Sequence, residues 1–167
     1  MNKAIFLDRD GVINKKRDDY VKNTSEFVML PKVSEAIRIM HEKKFLVIII
    51  TNQSAVNRGL LTHKGLEQIH EFMKDELKKY GVNIDAIYYC PHRPDENCNC
   101  RKPRTELLEK AIKDYQISTD LSWFIGDSET DIEAAKKIGI KHVKIEENGS
   151  LLNAIKYVIN KENRSDE

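Results

Sequence analysis

Four apolar residues, Ala4, Ile5, Phe6 and Leu7, run without a break into Asp8-Arg9-Asp10-Gly11, and this junction constrains the fold more than any other stretch of the chain. A short continuous apolar run suits a strand buried on both faces, as in the middle of a parallel sheet. Where such a strand ends, side chains emerge at the sheet's carboxyl edge, which is where open α/β sheets place their sites. Asp8 and Asp10 point the same way if the chain stays extended, and Gly11 lets the backbone turn sharply after them. Two carboxylates this close need a counter-charge, so a cation is implied. On its own the stretch also reads as a strand followed by a solvated Asp/Gly turn.

The pattern then repeats. Pro31 suits the first turn of a helix carrying Val33, Ala36, Ile37 and Met40 at helical spacing, and Phe45 to Ile50 is a second buried strand. Thr62 is placed to cap a helix with Leu66, Ile69, Phe72, Met73 and Leu77 inward, closed by Gly81. Ile84 to Tyr89 form a third strand, and Thr105 caps a helix with Leu107, Leu108, Ala111, Ile112 and Tyr115 inward. Leu121 to Ile125 are a fourth strand; Ser128-x-x-Asp131 opens a helix that stops at Gly139. His142 to Ile145 and a helix over Leu151 to Ile159 complete the series. Alternation of this kind predicts an α/β fold: a single three-layer, Rossmann-like domain with a parallel five-stranded sheet covered by helices on both faces. The domain is expected over residues 1–160, with a polar, fraying tail over 161–167.

A chain of 167 residues is large enough to bury a real core. Its formal net charge of +1 offers no global basic field for nucleic acid. No apolar run approaches membrane-spanning length, and the first strand begins without a signal-peptide pattern, so a cytoplasmic protein with no membrane partner is expected. The three cysteines, Cys90, Cys98 and Cys100, crowd into one loop, which in a reducing compartment reads as metal binding before disulfide. With His92 they supply four ligands within eleven residues, the number a closed tetrahedral zinc site needs. A loop of residues 90–102 has no core of its own, so a structural Zn²⁺ would substitute for one.

The residues past the strand ends share a chemistry. They are Asp8 and Asp10, then Thr51 and Asn52, then Arg101 and Lys102 after the cysteines, then Asp127 with Asp131 one turn on. Carboxylates gathered at one edge suit a hard divalent ion, usually Mg²⁺. A hydroxyl, an amide and a lysine at the same edge can hold the oxygens of a phosphoryl group.

Phe6-Leu-Asp8-x-Asp10-Gly-Val-Ile-Asn14, Thr51, Lys102 and Gly126-Asp127-x-x-x-Asp131 resemble, in order, the four motifs of the haloacid dehalogenase-like phosphohydrolases. The resemblance implies that Asp8 is the nucleophile, forming an aspartyl-phosphate, and that Asp10 serves as acid and then base. It implies Mg²⁺ held by Asp8, the Asp10 carbonyl and Asp127, with Thr51 and Lys102 on the transferring group and Ser128 and Asp131 orienting the ligands from behind. Neither insertion point has room for a cap domain. The stretch Cys-x-His…Cys-x-Cys-Arg-Lys-Pro resembles two zinc-containing groups within that family, heptose bisphosphate phosphatases and histidinol-phosphate phosphatases. Asn14 and the run Thr51-Asn-Gln-Ser54 with Arg58-Gly59 resemble the first group; the compact zinc loop resembles the second, and Arg104-Thr105-Glu106 departs from the Pro-Gly of the first. A small phosphate ester is therefore the expected partner, heptose 1,7-bisphosphate ahead of histidinol phosphate. Asn52, Ser54, Arg58, Arg101, Arg17 and Tyr20 are the candidate substrate contacts, with Lys15 and Lys16 also available to an anion, in a protein expected to be a monomer. A non-enzymatic phospho-receiver, which also combines acids, a hydroxyl and a lysine at strand ends, is disfavoured by the order of the motifs.

Overall fold

The computed structural model describes residues 1–166. Five strands, β1 (Lys3–Leu7), β2 (Phe45–Asn52), β3 (Ala86–Cys90), β4 (Trp123–Gly126) and β5 (Lys141–Lys144), form one sheet in the order β3-β2-β1-β4-β5. Every neighbouring pair is parallel. β1 is bonded on both sides, with Leu7 opposite Ile49 and Ile125, so its last residue lies at the middle of the carboxyl edge.

The side-chain alternation of β1 divides the core in two. Ile5 and Leu7 face a layer completed by α1 (Val33–Glu42), α2 (His63–Lys78) and α5 (Leu151–Ser165). Ala4 and Phe6 face the other, built with α3 (Glu106–Tyr115) and α4 (Glu129–Ile138). The expected three-layer architecture is therefore present. The expected cap domain's absence holds as well: residues 15–30 fold as a short flap. Asn14 bridges to Met29, Lys15 N–H donates to the Val28 carbonyl, and Val21 and Phe27 are buried, with Phe27 edge-on to Phe72 of α2.

β3 starts two residues later than the sequence reading and β5 one residue earlier, and three further boundaries differ with a visible cause. Pro31 lies in a turn before α1 because Lys32, the N-cap, takes a left-handed conformation (φ 63°). β4 starts at Trp123, two residues late, because Ser122 turns its hydroxyl back to accept from Ala4 N–H and to donate to the Ser118 carbonyl. The expected tail is helical through Ser165 instead of fraying after Asn160. Glu162 anchors it, its carboxylate accepting from Trp123 Nε1 (2.9 Å) and Lys141 Nζ (2.6 Å). Glu167, the end of that expected tail, lies outside the described residues. Among the described residues no helix is long and apolar enough to cross a membrane.

Candidate active site

The strand ends of β1, β2 and β4 and the loop after β3 open onto one cleft of about 410 Å³. Asp8, Asp10, Asn52, Ser54, Arg58, Arg101, Lys102, Asp127, Ser128, Asp131, Arg17 and Tyr20 all line it. Thr51 does not reach the wall. It is fully buried one residue short of the end of β2, and its hydroxyl accepts from Gln53 Nε2 at 2.9 Å.

At the floor Lys102 is almost fully buried and reaches three oxygens: the Ile50 carbonyl (2.7 Å), Asp131 Oδ1 (2.6 Å) and Asp8 Oδ1 (3.2 Å). Its backbone is gripped by Asn52, whose Oδ1 accepts from Lys102 N–H (3.0 Å) while its Nδ2 donates to the Lys102 carbonyl (3.3 Å). Asn52 thus braces the lysine as well as facing the cleft. Asp131 also accepts from Ser128 N–H at 3.3 Å, so the start of α4 and the lysine are tied to one carboxylate. A side chain at Gly126 would collide with Asp131, and one at Gly11 (φ +84°) with Asp127.

Carboxylate oxygens of Asp8, Asp127 and Asp131 lie within 4.8 Å of one another. Burial pushes Asp8 up to about 7; Lys102 opposes the shift, and the charges of Asp131, Asp10 and Asp127 add to it. Burial, then Asp131, raises Asp127 too. Acids crowded so that their ionised forms are disfavoured are stabilised by a divalent cation. Asp131 already has Lys102 and Ser128 as partners; Asp8 meets Lys102 and Arg9 N–H through Oδ1 alone, so its Oδ2 and the Asp127 carboxylate are available to ligate. This donor set fits Mg²⁺.

Asp10 is organised differently. Its Oδ1 accepts from Arg9 Nη2 (2.8 Å) and Asn14 Nδ2 (2.9 Å), and its Oδ2 from Gln53 Nε2 (2.8 Å). Burial alone would raise its pKa, but the Arg9 charge and the bonds from Asn14, Arg9 and Gln53 outweigh burial and hold it below the usual carboxylate range. Arg9 and Gln53 went unnoticed in the sequence. The available signal for Arg9 was the alternation that brings Asp8 and Asp10 to one side, since it sends the residue between them to the other.

Past β3 the four soft ligands converge. Cys90 Sγ lies 3.0 Å from Cys100 Sγ, 3.6 Å from Cys98 Sγ and 3.3 Å from His92 Nδ1, and that nitrogen is 3.2 Å from Cys100 Sγ. Tetrahedral zinc with thiolate ligands separates its sulfurs by roughly 3.8 Å, so the cluster fits the ion after a small expansion. The loop is also sewn to the segment after β2: Gln53 N–H donates to the Cys90 carbonyl (2.7 Å) and Asn57 N–H to that of Pro91 (3.2 Å). Arg101 donates to the His92 carbonyl at 3.3 Å, and Arg104 to that of Cys98.

The rim carries the remaining cations. Arg58 donates to Ser54 Oγ (3.1 Å) and lies 5.8 Å from the Tyr20 ring centre. Arg17 is engaged by Asp19 (3.0 Å) and Glu26 (2.9 Å). Lys16 pairs with Glu147 at 3.5 Å, and the Asp127 and Glu147 charges raise its pKa against a lowering from burial. Its backbone N–H donates to Asn148 Oδ1 (2.8 Å), and Asn148 N–H donates to the Gly11 carbonyl (2.9 Å), so the segment after β5 is tied to the loop after β1.

Fold and site together define a phosphatase of the haloacid dehalogenase-like class. Residues 3–150 match the family described as polynucleotide kinase 3 phosphatase, and the chain belongs to that family. It is 42% identical over 142 residues to the D-glycero-beta-D-manno-heptose-1,7-bisphosphate 7-phosphatase of Helicobacter pylori J99, covering 84% of this chain and 81% of that one. The enzyme of that name from Pseudomonas putida KT2440 is 39% identical over 143 residues, 86% of this chain and 82% of that one. The crystal structure of D,D-heptose 1,7-bisphosphate phosphatase from B. bronchiseptica, complexed with magnesium and phosphate, superposes with a TM-score of 0.86 at 30% identity, covering 95% of this chain and 99% of the other.

Proposed function

We propose that this chain is a cytoplasmic, monomeric Mg²⁺-dependent phosphomonoesterase that removes the 7-phosphate of D-glycero-D-manno-heptose 1,7-bisphosphate through an aspartyl-phosphate on Asp8. The observation that carries the reading is the convergence of Asp8, Asp10, Lys102 and Asp127 on one cleft. In the first half-reaction the Asp8 carboxylate attacks phosphorus, the ester P–O bond breaks, and Asp10 gives its proton to the departing sugar oxygen. A bound dianion adjacent to Asp10 raises the proton affinity that Arg9 and its neighbours otherwise depress. In the second half-reaction Asp10 takes a proton from water as that water attacks phosphorus, and the bond to Asp8 breaks to release inorganic phosphate. Lys102 neutralises the phosphoryl oxygens, and Thr51 supports the site through Gln53. When bound by Asp8, Asp127 and the Asp10 carbonyl, Mg²⁺ would supply charge screening of nucleophile and phosphoryl group. Zinc on Cys90, His92, Cys98 and Cys100 would be structural, setting the positions of Arg101 and Lys102.

A second phosphate on the substrate is served by cations at the rim, Lys16, Arg58 and Arg101, and remote binding of that kind can be turned into rate. Although the family's description names a polynucleotide, the net charge of +1 and the compact cleft favour a small ester. Initial rates with Mg²⁺ on heptose 1,7-bisphosphate, histidinol phosphate and a 3′-phosphorylated oligonucleotide test the proposal. The heptose should lead histidinol phosphate by at least about tenfold in kcat/KM, roughly 1.4 kcal/mol of transition-state binding. Equal or better turnover of histidinol phosphate would overturn the substrate, and preference for the oligonucleotide would overturn its class.

A further inference from the structure

One fully buried cation reaches the chemistry set out above only through Asp10. Arg9 lies between Asp8 and Asp10 in the sequence, yet its side chain runs into the interior with no exposed surface. A guanidinium keeps its charge there and has only N–H donors. It donates from Nη2 to Asp10 Oδ1 at 2.8 Å, and its Nη1 lies 3.1 Å from Nε2 of His70 on α2. Because arginine cannot accept, His70 Nε2 must be the acceptor, which makes His70 neutral with its ring proton on Nδ1. Burial first, and then the Arg9 charge, push the His70 imidazolium down to a pKa of about 3, in agreement with a neutral ring.

We propose that His70 and Arg9 form an anchor that positions the Asp10 carboxylate, with His70 as a positioning residue that touches no substrate. This rests on the reading of Asp10 as acid and base. A neutral acceptor is the group such an anchor requires. A carboxylate at position 70 would draw the guanidinium away from Asp10, a protonated histidine would repel it, and an apolar residue would leave a second buried N–H group of Arg9 without a partner, since Nε already has none. His70 is itself held in place: the ring packs edge-on to Tyr89 at 6.3 Å, and its helix neighbours Leu66, Ile69 and Met73 are fully buried. Three donors fix Asp10, from Arg9, Asn14 and Gln53. Only the one from Arg9 is a charged group braced by a separate element of the fold.

The test uses the full-length protein with Mg²⁺ and compares kcat/KM, which covers the steps up to loss of the leaving group, for an alkyl phosphate and p-nitrophenyl phosphate. The nitrophenolate leaves without a proton, so only the alkyl ester depends on Asp10 as an acid in that step. His70→Leu should lower kcat/KM about tenfold on the alkyl ester and less than about twofold on the nitrophenyl ester. His70→Gln, whose Oε1 can accept from Arg9, should recover most of the loss. Equal losses on both esters, no loss on either, or no rescue by glutamine would overturn the anchor. If the wild type turned over neither these esters nor heptose 1,7-bisphosphate, the proposed function itself would fall; if it turned over the heptose alone, these esters could not serve as the readout. The anchor is then judged on the wild type alone, by ¹⁵N NMR of His70 at neutral pH, which also serves if the variants do not fold. An unprotonated Nε2 with protonated Nδ1 is expected, and a proton on Nε2 would overturn it.

Discussion

At the floor of the cleft the side chain of Lys102 is 2% exposed and holds two carboxylates and a carbonyl, whereas at the rim that of Arg17 is 39% exposed and is paired with two acids on its own flap. Both are cations facing the same space. The floor is built by elements far apart in sequence: Asp8 follows β1, Asn52 ends β2, Lys102 follows the last cysteine and Asp131 lies in the first turn of α4. Lys102 and Asp131 are buried and Asp8 and Asn52 half-buried, so the buried pair must be partnered, and removing either leaves the other uncompensated. The rim is local and solvated. Arg17, Asp19, Lys22 and Glu26 satisfy one another within ten residues, and exposed pairs of this kind contribute little to stability. On the proposed reading, reaction chemistry resides where burial enforces geometry, and substrate choice where side chains can exchange partners.

Substitutions separate the two regions, beginning with the deepest. Asp8→Asn should cost about 10⁴-fold or more in kcat, because the amide is a poor nucleophile and a weak metal ligand. Retention of more than a few per cent of the wild-type rate would remove Asp8 from its assigned role. Lys102→Met is expected to slow turnover by about 10²–10³-fold. It should also destabilise the metal-free protein by about 3–5 kcal/mol, since Asp8 and Asp131 lose their buried cation. Denaturant titration with and without Mg²⁺ checks this, and a stability unchanged by the substitution would place Lys102 with the rim.

Cys98→Ala tests how the two regions are joined. One zinc per chain should be present in the wild type by elemental analysis and absent from the variant. Activity should drop by up to about 10²-fold through displacement of Lys102 and Arg101. Active wild-type protein without zinc would contradict the structural role given to the loop. The smallest effects belong to the rim itself. Arg101→Ala should lower kcat/KM on a bisphosphate about tenfold and leave small monophosphates nearly unchanged. Arg17→Ala should change either by less than about twofold, because Asp19 and Glu26 already occupy the guanidinium. A larger loss at Arg17 than at Arg101 would reverse the order of the two contacts.

Much of this was legible in the amino-acid order. Buried parallel strands announce themselves as unbroken apolar runs, and amphipathic helices by their period, so the alternation of the two determined the layers and the strand ends at one edge. Chemistry-bearing residues placed directly after those runs, Asp8, Asp10, Asn52 and Asp127, could be assigned to the cleft because sequence position and strand end coincide. The four zinc-type ligands were legible for the same local reason, crowding within eleven residues. Thr51 marks the limit: its position at the strand end was evident, but its complete burial was decided by the packed layers around it.

Only the tertiary structure decided the partnerships. His70 lies 61 residues from Arg9, Lys102 lies 29 from Asp131, and Asn148 lies 132 from the backbone N–H of Lys16 that it accepts from. None of these pairs shares an element or a local period, so no pattern in the chain brings them together. A strand or a helix is specified by interactions within reach of its own residues, whereas the ionisation and orientation of a buried side chain depend on whatever the packed layers place beside it.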